Sequence, residues 1–364
     1  MSTHGAMPPS AWIFPLLSVL LFAGVTTIGY TFAPTALGWL FAAALLTVLF
    51  GTVFAAVHHA EVIAERIGEP FGTLLLTLSV TIIEVALIAT IMLGEQAATT
   101  LARDTVFAVV MIVCNGLVGI CILAGGLRYK EQDIQVSGSN VYLSVLSVLS
   151  TITLIMPNFT LTTPGPVYSA GQLGFVSFGT ILLYAVFLYT QTMRHRDYFV
   201  VGSSPDGDGP NSSNRMMALS LGLLLISLVG VVLLAKKFSQ VVDAGAALVG
   251  APPAFAGVLV ALLILLPESV AAVAAARKNE LQKSINLALG SSLATIGLTI
   301  PAVAIAAYAL DKQLVLGLPG QEMVLLALTL VLCMLTLGGG RTNILFGLVH
   351  LVVFAVFVFL VFVP

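Results

Sequence analysis

Residues 69–87 read EPFGTLLLTLSVTIIEVAL, an apolar run that carries one carboxylate, Glu84, deep inside it. Residues 253–271 read PAFAGVLVALLILLPESVA, and aligning Phe71 with Phe255 brings Glu268 onto Glu84 without a gap. A charged side chain at the centre of a membrane-spanning helix costs roughly 2.5–3.5 kcal/mol on insertion scales. Two such residues at equivalent places therefore indicate an internal repeat and a role other than packing.

The composition is that of a membrane protein. Hydrophobic residues make up 59% of the chain, charged residues 8%, and the mean hydropathy is +1.09, whereas a soluble domain has roughly a quarter of its residues charged. The formal net charge is −2 and there is no basic cluster, so we expect no nucleic-acid partner. The expected partners are the lipid bilayer, inorganic cations and protons, and the sequence does not define an oligomeric state.

Short motifs that would indicate other classes are missing. The three cysteines, Cys114, Cys121 and Cys333, lie inside apolar runs, which favours packing over a disulfide or a thiolate metal site. The N-terminus MSTHGAMPPSAW has neither the basic region nor the cleavage site of a signal peptide. The first apolar run is therefore expected to remain in the mature protein.

Apolar stretches of roughly 20 residues, the length that crosses the hydrocarbon core as a helix, occur eleven times. We predict spans at 11–31, 35–57, 70–94, 104–127, 140–157, 166–193, 216–235, 246–276, 284–309, 321–337 and 342–362. With this count, ten of the fourteen Lys and Arg residues share the side of the N-terminus. The positive-inside rule then predicts a cytoplasmic N-terminus and an external C-terminus in a bacterial inner (plasma) membrane.

The repeat defines a fold class and boundaries. Glu84 lies in the third predicted span and Glu268 in the eighth, so the two spans run in opposite directions. The sequence thus predicts an all-α polytopic membrane protein with about eleven transmembrane helices: two inverted five-helix repeats plus one extra N-terminal helix. The boundaries are 1–34 for the extra helix, 35–193 for the first repeat, 194–215 for a hydrophilic linker and 216–364 for the second repeat.

The linker contains GSSPDGDGPNSSNR, residues 202–215, which is rich in Gly, Ser, Pro, Asp and Asn. This composition is typical of a flexible, solvated connection. Asp206 and Asp208 in it admit a second interpretation, a cation-binding loop. The linker interpretation is favoured.

Oxygen-bearing side chains surround both glutamates in the sequence. Pro267 precedes Glu268 and tends to open the preceding helical turn, which frees backbone carbonyls. The polar residues near the two acids and on the helices that follow them are Thr77, Ser79, Thr81, Thr105, Asn115, Asn286, Ser291, Ser292 and Thr295. Carboxylate, amide, hydroxyl and carbonyl oxygens form hard-cation sites that suit Ca²⁺ or Na⁺.

The same two carboxylates can hold protons when no cation is bound. Competition between protons and a cation at one site is the minimum that an antiporter needs. The alternative is that a buried glutamate is only a neutral, helix-bridging hydrogen-bonding group. Finding two of them at repeat-equivalent positions favours the antiporter hypothesis. No resident cofactor is expected, only transported Ca²⁺, Na⁺ or K⁺, and H⁺.

Two groups of polar residues admit more than one interpretation. Residues 58–69, between the second and third predicted spans, carry His58, His59, Glu61 and Glu65. They are either a cytoplasmic mouth that collects cations or senses pH, or a solvated amphipathic connector, and we favour the connector. His350, in the last predicted span, is either a proton relay or a packing histidine.

Three stretches resemble a known family: GEPFGTLLLTLSVTIIE, PESVAAVAAARKNELQKSINLALGSSLATIGLTIP and GRTNILFGLVH. The sequence is similar to the calcium/cation antiporter superfamily, specifically its bacterial Cha-type calcium (sodium, potassium)/proton branch. The resemblance implies ten core helices plus one extra helix, with Glu84 and Glu268 as the cation- and proton-binding acids. It also implies ligands from the carbonyls of Thr81 and Leu265, and an ion or proton route past Ser291 and Ser292.

One departure from the family pattern concerns selectivity. The plant and yeast calcium exchangers carry an Asn or Gly-Asn step near the first-repeat acid, where this sequence has VTIIE. The hydroxyls of Ser79 and Thr81 would then set the cation preference.

The sequence therefore favours a secondary transporter that exchanges a metal cation, first of all Ca²⁺, for protons. A glutamate-dependent intramembrane protease using Glu61, Glu65 and a histidine is one alternative, but no HExxH or GxSxG motif occurs. A passive cation channel is the other alternative. A channel would show no obligatory proton exchange, and the paired inverted repeats favour alternating access.

Overall fold

The structure, a computed structural model, describes residues 7–92, 99–199 and 214–363. Eleven helices in these residues are long and apolar enough to cross a membrane. They are α1 Pro9–Ile28, α2 Ala36–Ile67, α3 Phe71–Met92, α4 Leu101–Tyr129, α5 Val136–Phe159, α6 Ala170–Arg194, α7 Asn214–Val249, α8 Ala254–Ala276, α9 Leu281–Ala309, α10 Gly320–Leu337 and α11 Ile344–Phe362. The all-α, eleven-span prediction is confirmed.

Three predicted helix ends, in two places, are wrong by eight residues or more. Residues 58–67 continue α2 as a helix, so His58, His59, Glu61 and Glu65 do not lie in a connector between spans. Helix α7 continues past 235 to Val249, and α8 starts at Ala254, not at 246. The errors have the same cause. The ends of α2 and α7 extend beyond the roughly 30 Å hydrocarbon core, and their scattered charges lower the hydropathy on which the predicted spans depend. The predicted linker lies outside the described residues, apart from its ends at 194–199 and 214–215.

Several helices contain a short segment of wider, π-helical turns. These segments are Ile112–Leu117 in α4, Thr151–Ile155 in α5, Thr190–Arg194 in α6 and Thr295–Thr299 in α9. A π segment carries an extra residue and interrupts the regular ladder of backbone hydrogen bonds, often at a functional site. Two short strands, β1 Glu131–Asp133 and β2 Arg341–Asn343, pair antiparallel.

The helices form two compact units, and the first contains α1, α2, α3 and α7. Within it, Arg66 near the end of α2 donates from Nη2 to Oδ1 of Asn214 at the start of α7, at 2.5 Å. Lys237 of α7 donates from Nζ to the carbonyl of Tyr30, just after α1, at 2.6 Å. Helix α7 therefore runs antiparallel to α2 and parallel to α1.

The second unit contains α4, α5, α6 and α8–α11, and its connections meet at two opposite faces. On one face, Val315 donates its backbone N–H to the carbonyl of Thr99 at 3.2 Å, and Gly317 donates to Pro166 at 3.0 Å. These bonds join the α9–α10 connection to the segment before α4 and to the α5–α6 connection. The three connections therefore share one side of this unit.

The opposite face of the second unit gathers β1, β2 and the α8–α9 connection. Arg341 of β2 contacts Asp133 of β1, with Nε 3.0 Å from Oδ1. Gln132 of β1 donates from Nε2 to Oδ1 of Asn279 at 3.1 Å, and Asn286 near the start of α9 donates to the carbonyl of Phe199 at 2.5 Å. The basic residues in or next to the connections of this face are Arg128, Lys130, Arg277, Lys278, Lys283 and Arg341. We name it the basic face.

The positive-inside rule predicts that the basic face is cytoplasmic. We expect a single cysteine at Lys278, in an otherwise cysteine-free protein, to react with a membrane-impermeant maleimide in everted vesicles but not in intact cells. A matched cysteine at Lys312, in the α9–α10 connection, should show the reverse pattern. The reversed labelling of both sites would show that the orientation is inverted.

Candidate functional site

Glu84 lies in the middle of α3, within the first unit. Its side chain is only 1% exposed, and α3 packs against α2 and α7. The helix starts close to the end of α2, because a Cβ atom at Gly72 would lie 2.5 Å from the carbonyl oxygen of Ala64. A carboxylate this deep in a span is costly, and the local sequence offers no Lys or Arg in α3 to offset that cost.

Ser79 and Thr81 lie on the same helix as Glu84, and both are buried, with 4% and 7% exposure. Ser79 donates its hydroxyl hydrogen to the carbonyl of Leu75 at 2.8 Å. The donor is thus used within the helix, while the hydroxyl oxygen keeps lone pairs that can accept a hydrogen bond or face a cation. All three residues are therefore buried on α3, but only Thr81, three residues before Glu84, shares its face of the helix.

Glu268 lies in α8, within the second unit, and is half-buried. The preceding residue, Pro267, is inside the helix and has no N–H, so the carbonyl of Leu263 lacks the donor that a regular helix places four residues later. Leu263 and Leu265 are each 1% exposed. The turn before Glu268 thus contains one buried backbone oxygen, that of Leu263, without its helical donor, and such an oxygen can coordinate a hard cation.

Helix α8 packs against α4 and α9. A Cβ atom at Gly257 would lie 2.8 Å from the backbone nitrogen of Thr105, so glycine permits the close approach of α8 to α4. Ser284 of α9 donates to the carbonyl of Ala272 at 2.7 Å, one turn after Glu268. The two helices predicted to line the site are therefore held directly against α8.

Thr105 and Ser292 have buried hydroxyl oxygens, and neither makes a hydrogen bond to any described residue. Other buried helical hydroxyls, such as those of Ser150 and Ser227, donate to the carbonyl four residues earlier at 2.7 Å. Leaving a buried hydroxyl unsatisfied costs free energy. These two oxygens are thus available to coordinate a cation or to bond its hydration water. Ser291, next to Ser292, is half-buried.

The two predicted asparagines are engaged in protein hydrogen bonds. Asn286 donates to the carbonyl of Phe199 and accepts from Nε2 of Gln282 at 2.8 Å, so it fastens the basic face. Asn115, in the π segment of α4, donates from Nδ2 to Oγ1 of Thr329 at 2.8 Å, and its Oδ1 lies 3.2 Å from Nδ1 of His350.

The partners of Asn115 include residues that the sequence analysis missed. Thr329, Cys333 and Thr336 are fully buried and lie on one face of α10. Their spacing of four and three residues is the available sequence signal, since positions i, i+4 and i+7 share a helix face. It is easily overlooked, because Thr and Cys hardly lower the hydropathy of an apolar helix.

The π segments of α4 and α9 occupy corresponding places in the second unit. Each contains a Gly-Leu step and packs on an aromatic ring. A Cβ atom at Gly116 would lie 3.3 Å from the ring of Phe354 in α11, and one at Gly297 would lie 2.8 Å from Cβ of Tyr184 in α6. These paired contacts agree with a two-fold relation between the two halves of the chain. The residue boundaries of the two repeats stay a prediction.

The four residues of the predicted mouth lie on the last turns of α2, in the first unit. Glu61 and Glu65 are exposed, whereas His59 is fully buried. His59 donates from Nε2 to the carbonyl of Ala11 at 2.8 Å. Pro15 of α1 has no N–H to give to Ala11, so His59 supplies the missing donor and fastens α1 to α2. His58 is half-buried beside it.

Among the described residues there is no group of three or more His, Cys, Asp or Glu residues that could hold a metal ion. A cation bound here would depend on single carboxylates supplemented by hydroxyl, carbonyl and water oxygens. Such a ligand set is typical of a site that loads and releases a hard cation. Glu84 belongs to the first unit and Glu268 to the second.

Eleven spans, a carboxylate buried deep in α3 and a proline-opened turn before Glu268 are features of a membrane transporter of small ions. Residues 36–193 and 219–363 match the model of the sodium/calcium exchanger protein family. The chain therefore belongs to the sodium/calcium exchanger protein family.

Two relatives align over most of the chain. The protein is 43% identical over 362 residues to y4hA of Sinorhizobium fredii, named as an ionic transporter, covering 98% of this chain and 97% of that protein. It is 38% identical over 319 residues to the sodium-potassium/proton antiporter ChaA of Escherichia coli, covering 86% of each. These identities confirm the resemblance to the Cha-type branch.

Solved structures support the fold. The crystal structure of the H⁺/Ca²⁺ exchanger CAX superposes with a TM-score of 0.70 at 14% identity, over 96% of this chain and 89% of that one. At this identity the likeness concerns the fold alone.

Pro267 generates a prediction that separates stability from activity. Replacing it by alanine restores the N–H donor to Leu263 and removes a helix-interior proline, which costs about 3 kcal/mol in an ordinary helix. We expect Pro267→Ala to raise the melting temperature of the detergent-purified protein and to slow cation transport. Leu266→Ala is the matched control and should not raise the melting temperature. A less stable Pro267→Ala variant would contradict this account of the turn.

Proposed function

We propose that this protein is a secondary active transporter that exchanges a metal cation for protons across the bacterial inner membrane. The observation that carries the proposal is the burial of Glu84, 1% exposed in the middle of a spanning helix. A carboxylate placed there is stable when it is protonated or when it binds a cation. One group that alternates between these two states couples the movements of the two ions.

Glu268 extends the same chemistry to the second unit. It is half-buried beside the turn opened by Pro267, and the buried Thr105 and Ser292 hydroxyls lie on the two helices that pack against α8. Each glutamate would lose its proton on the side where the cation loads and regain one on the side where the cation leaves. Alternating access of a two-fold repeat supplies the movement between the two sides.

Charge balance makes Ca²⁺ the first cation to test. Glu84 and Glu268 can each release one proton, and two protons carry the same charge as one Ca²⁺. A single Na⁺ or K⁺ would leave one of the two carboxylates to be protonated. The name of the Escherichia coli relative makes Na⁺ and K⁺ the alternatives, and the hydroxyls of Ser79 and Thr81 are the first-unit groups that would discriminate among the three.

Proton release in everted vesicles, followed with a pH-sensitive dye, tests this function. Adding Ca²⁺, Na⁺ or K⁺ should collapse the proton gradient in vesicles that contain the native protein. Glu84→Gln and Glu268→Gln keep the size of the side chain but cannot ionise, so each should lower the response to that of empty vesicles. Glu280→Gln is the matched control, because Glu280 is exposed and its side chain forms a surface ion pair with Lys283.

Two results would contradict the proposal. Full exchange by both glutamine variants would show that the carboxylates of Glu84 and Glu268 take no part in the mechanism. Cation uptake that carries current but moves no protons would identify a passive channel.

A further inference from the structure

A hydrogen-bonded set of buried polar side chains in the second unit joins α4, α10 and α11. Asn115 of α4, Thr329 and Thr336 of α10 and His350 of α11 are each 0% exposed. The hydrogen bonds run in sequence from Thr329 through Asn115 and His350 to Thr336, with distances of 2.8, 3.2 and 3.1 Å. We name these four residues the His350 network.

The hydrogen bonds assign the tautomer of the imidazole. Nδ2 of Asn115, which carries hydrogens, donates to Thr329, so the Asn115 atom that faces His350 is the acceptor Oδ1. Nδ1 of His350 must therefore carry a hydrogen. Nε2 is then the acceptor in the neutral ring, and the Thr336 hydroxyl donates to it.

The network contains no carboxylate. Its members are two hydroxyls, one amide and the imidazole, and the thiol of Cys333 lies beside it, 3.9 Å from the carbonyl oxygen of Cys114. A protonated imidazole here would be a buried charge without a counterion, which is strongly unfavourable. The neutral form already satisfies all four side chains. His350 is thus suited to holding Asn115 and poorly suited to carrying a transported proton.

Asn115 lies in the π segment Ile112–Leu117. A Cβ atom at Gly116 would meet the ring of Phe354, and one at Gly119 would lie 3.1 Å from the Gly347 carbonyl oxygen, so α11 packs closely along this segment. Without the His350 donor, Oδ1 of Asn115 would be a buried acceptor with no partner, and the amide would be driven to reorient.

We propose that His350 is a positioning residue: its Nδ1–H group fixes Asn115 and with it the π segment of α4, which sets the rate of exchange. This inference rests on the proposed cation/proton exchange. The network has no part in the charge of the transported ions, so it controls the maximal rate, not the apparent affinity for the cation or the pH profile.

Three substitutions at one position test this role. Asn places its amide nitrogen near the position of Nδ1, Gln places it near the position of Nε2, and Leu provides neither donor. His350→Asn should keep the maximal exchange rate near that of the native protein. His350→Gln and His350→Leu should lower it about tenfold, the loss expected when one buried acceptor is left unpaired.

Rates are measured in proteoliposomes per correctly folded molecule, quantified by size-exclusion chromatography, over a range of cation concentrations and pH. All variants should keep the native KM and pH profile. A native rate in His350→Leu, or a lower yield of protein with an unchanged rate per molecule, would show a role in folding only. A shifted pH profile in His350→Asn would show instead that the imidazole carries protons.

If His350→Leu does not fold, the ratio of the Asn to the Gln rate decides the question, and equal rates would overturn the proposal. The glutamate variants keep the two proposals apart. Loss of exchange in Glu84→Gln together with a native rate in His350→Leu would leave the antiporter standing and remove the positioning role.

Discussion

Every backbone N–H and C=O group that faces the hydrocarbon of a bilayer must find its hydrogen-bond partner within the protein, since hydrocarbon offers none. The eleven helices satisfy this constraint along most of their length. This constraint identifies the groups that replace a lost backbone hydrogen bond where the helical ladder is interrupted. Pro15 leaves the carbonyl of Ala11 without a helical donor, and the side chain of His59 supplies one. At the π segment of α4, Thr329 of α10 and His350 of α11 bond the side chain of Asn115, and the Cys333 thiol lies 3.9 Å from the carbonyl oxygen of Cys114. At Pro267 the interruption lies beside a carboxylate.

Interruptions of the backbone hydrogen-bond ladder therefore have two structural roles in this chain. Where a donor side chain fills the gap, the result is a rigid joint between helices, as with α1 and α2. Where the adjacent groups are Glu268 and buried hydroxyl oxygens, the result is a set of acceptors that suits a proton or a hard cation. The identity of the neighbouring side chains decides between the two uses, and the proline alone does not.

The sequence predicted the number and order of the helices because a run of roughly 20 apolar residues has few other stable structures in a membrane. It predicted the end of α2 wrongly because His58, Glu61 and Glu65 look like a connector when hydropathy is averaged, although they continue a helix. Glu84 was predictable as a buried acid because nothing else in its span is charged. The roles of Asn115 and Asn286 were not, since their partners, Thr329, His350 and Phe199, are distant in sequence.

The separation of Asn115 and His350 by 235 residues has a consequence for biosynthesis. At roughly 5–20 residues per second, the amide of Asn115 emerges from the ribosome on the order of ten seconds to a minute before its imidazole partner. Until then the nascent α4 carries a polar side chain whose final acceptor and donor do not yet exist. The second unit can complete its core only when the last helix has been released into the membrane. A prematurely ended chain thus exposes a lasting unsatisfied amide to the quality-control proteases of the membrane.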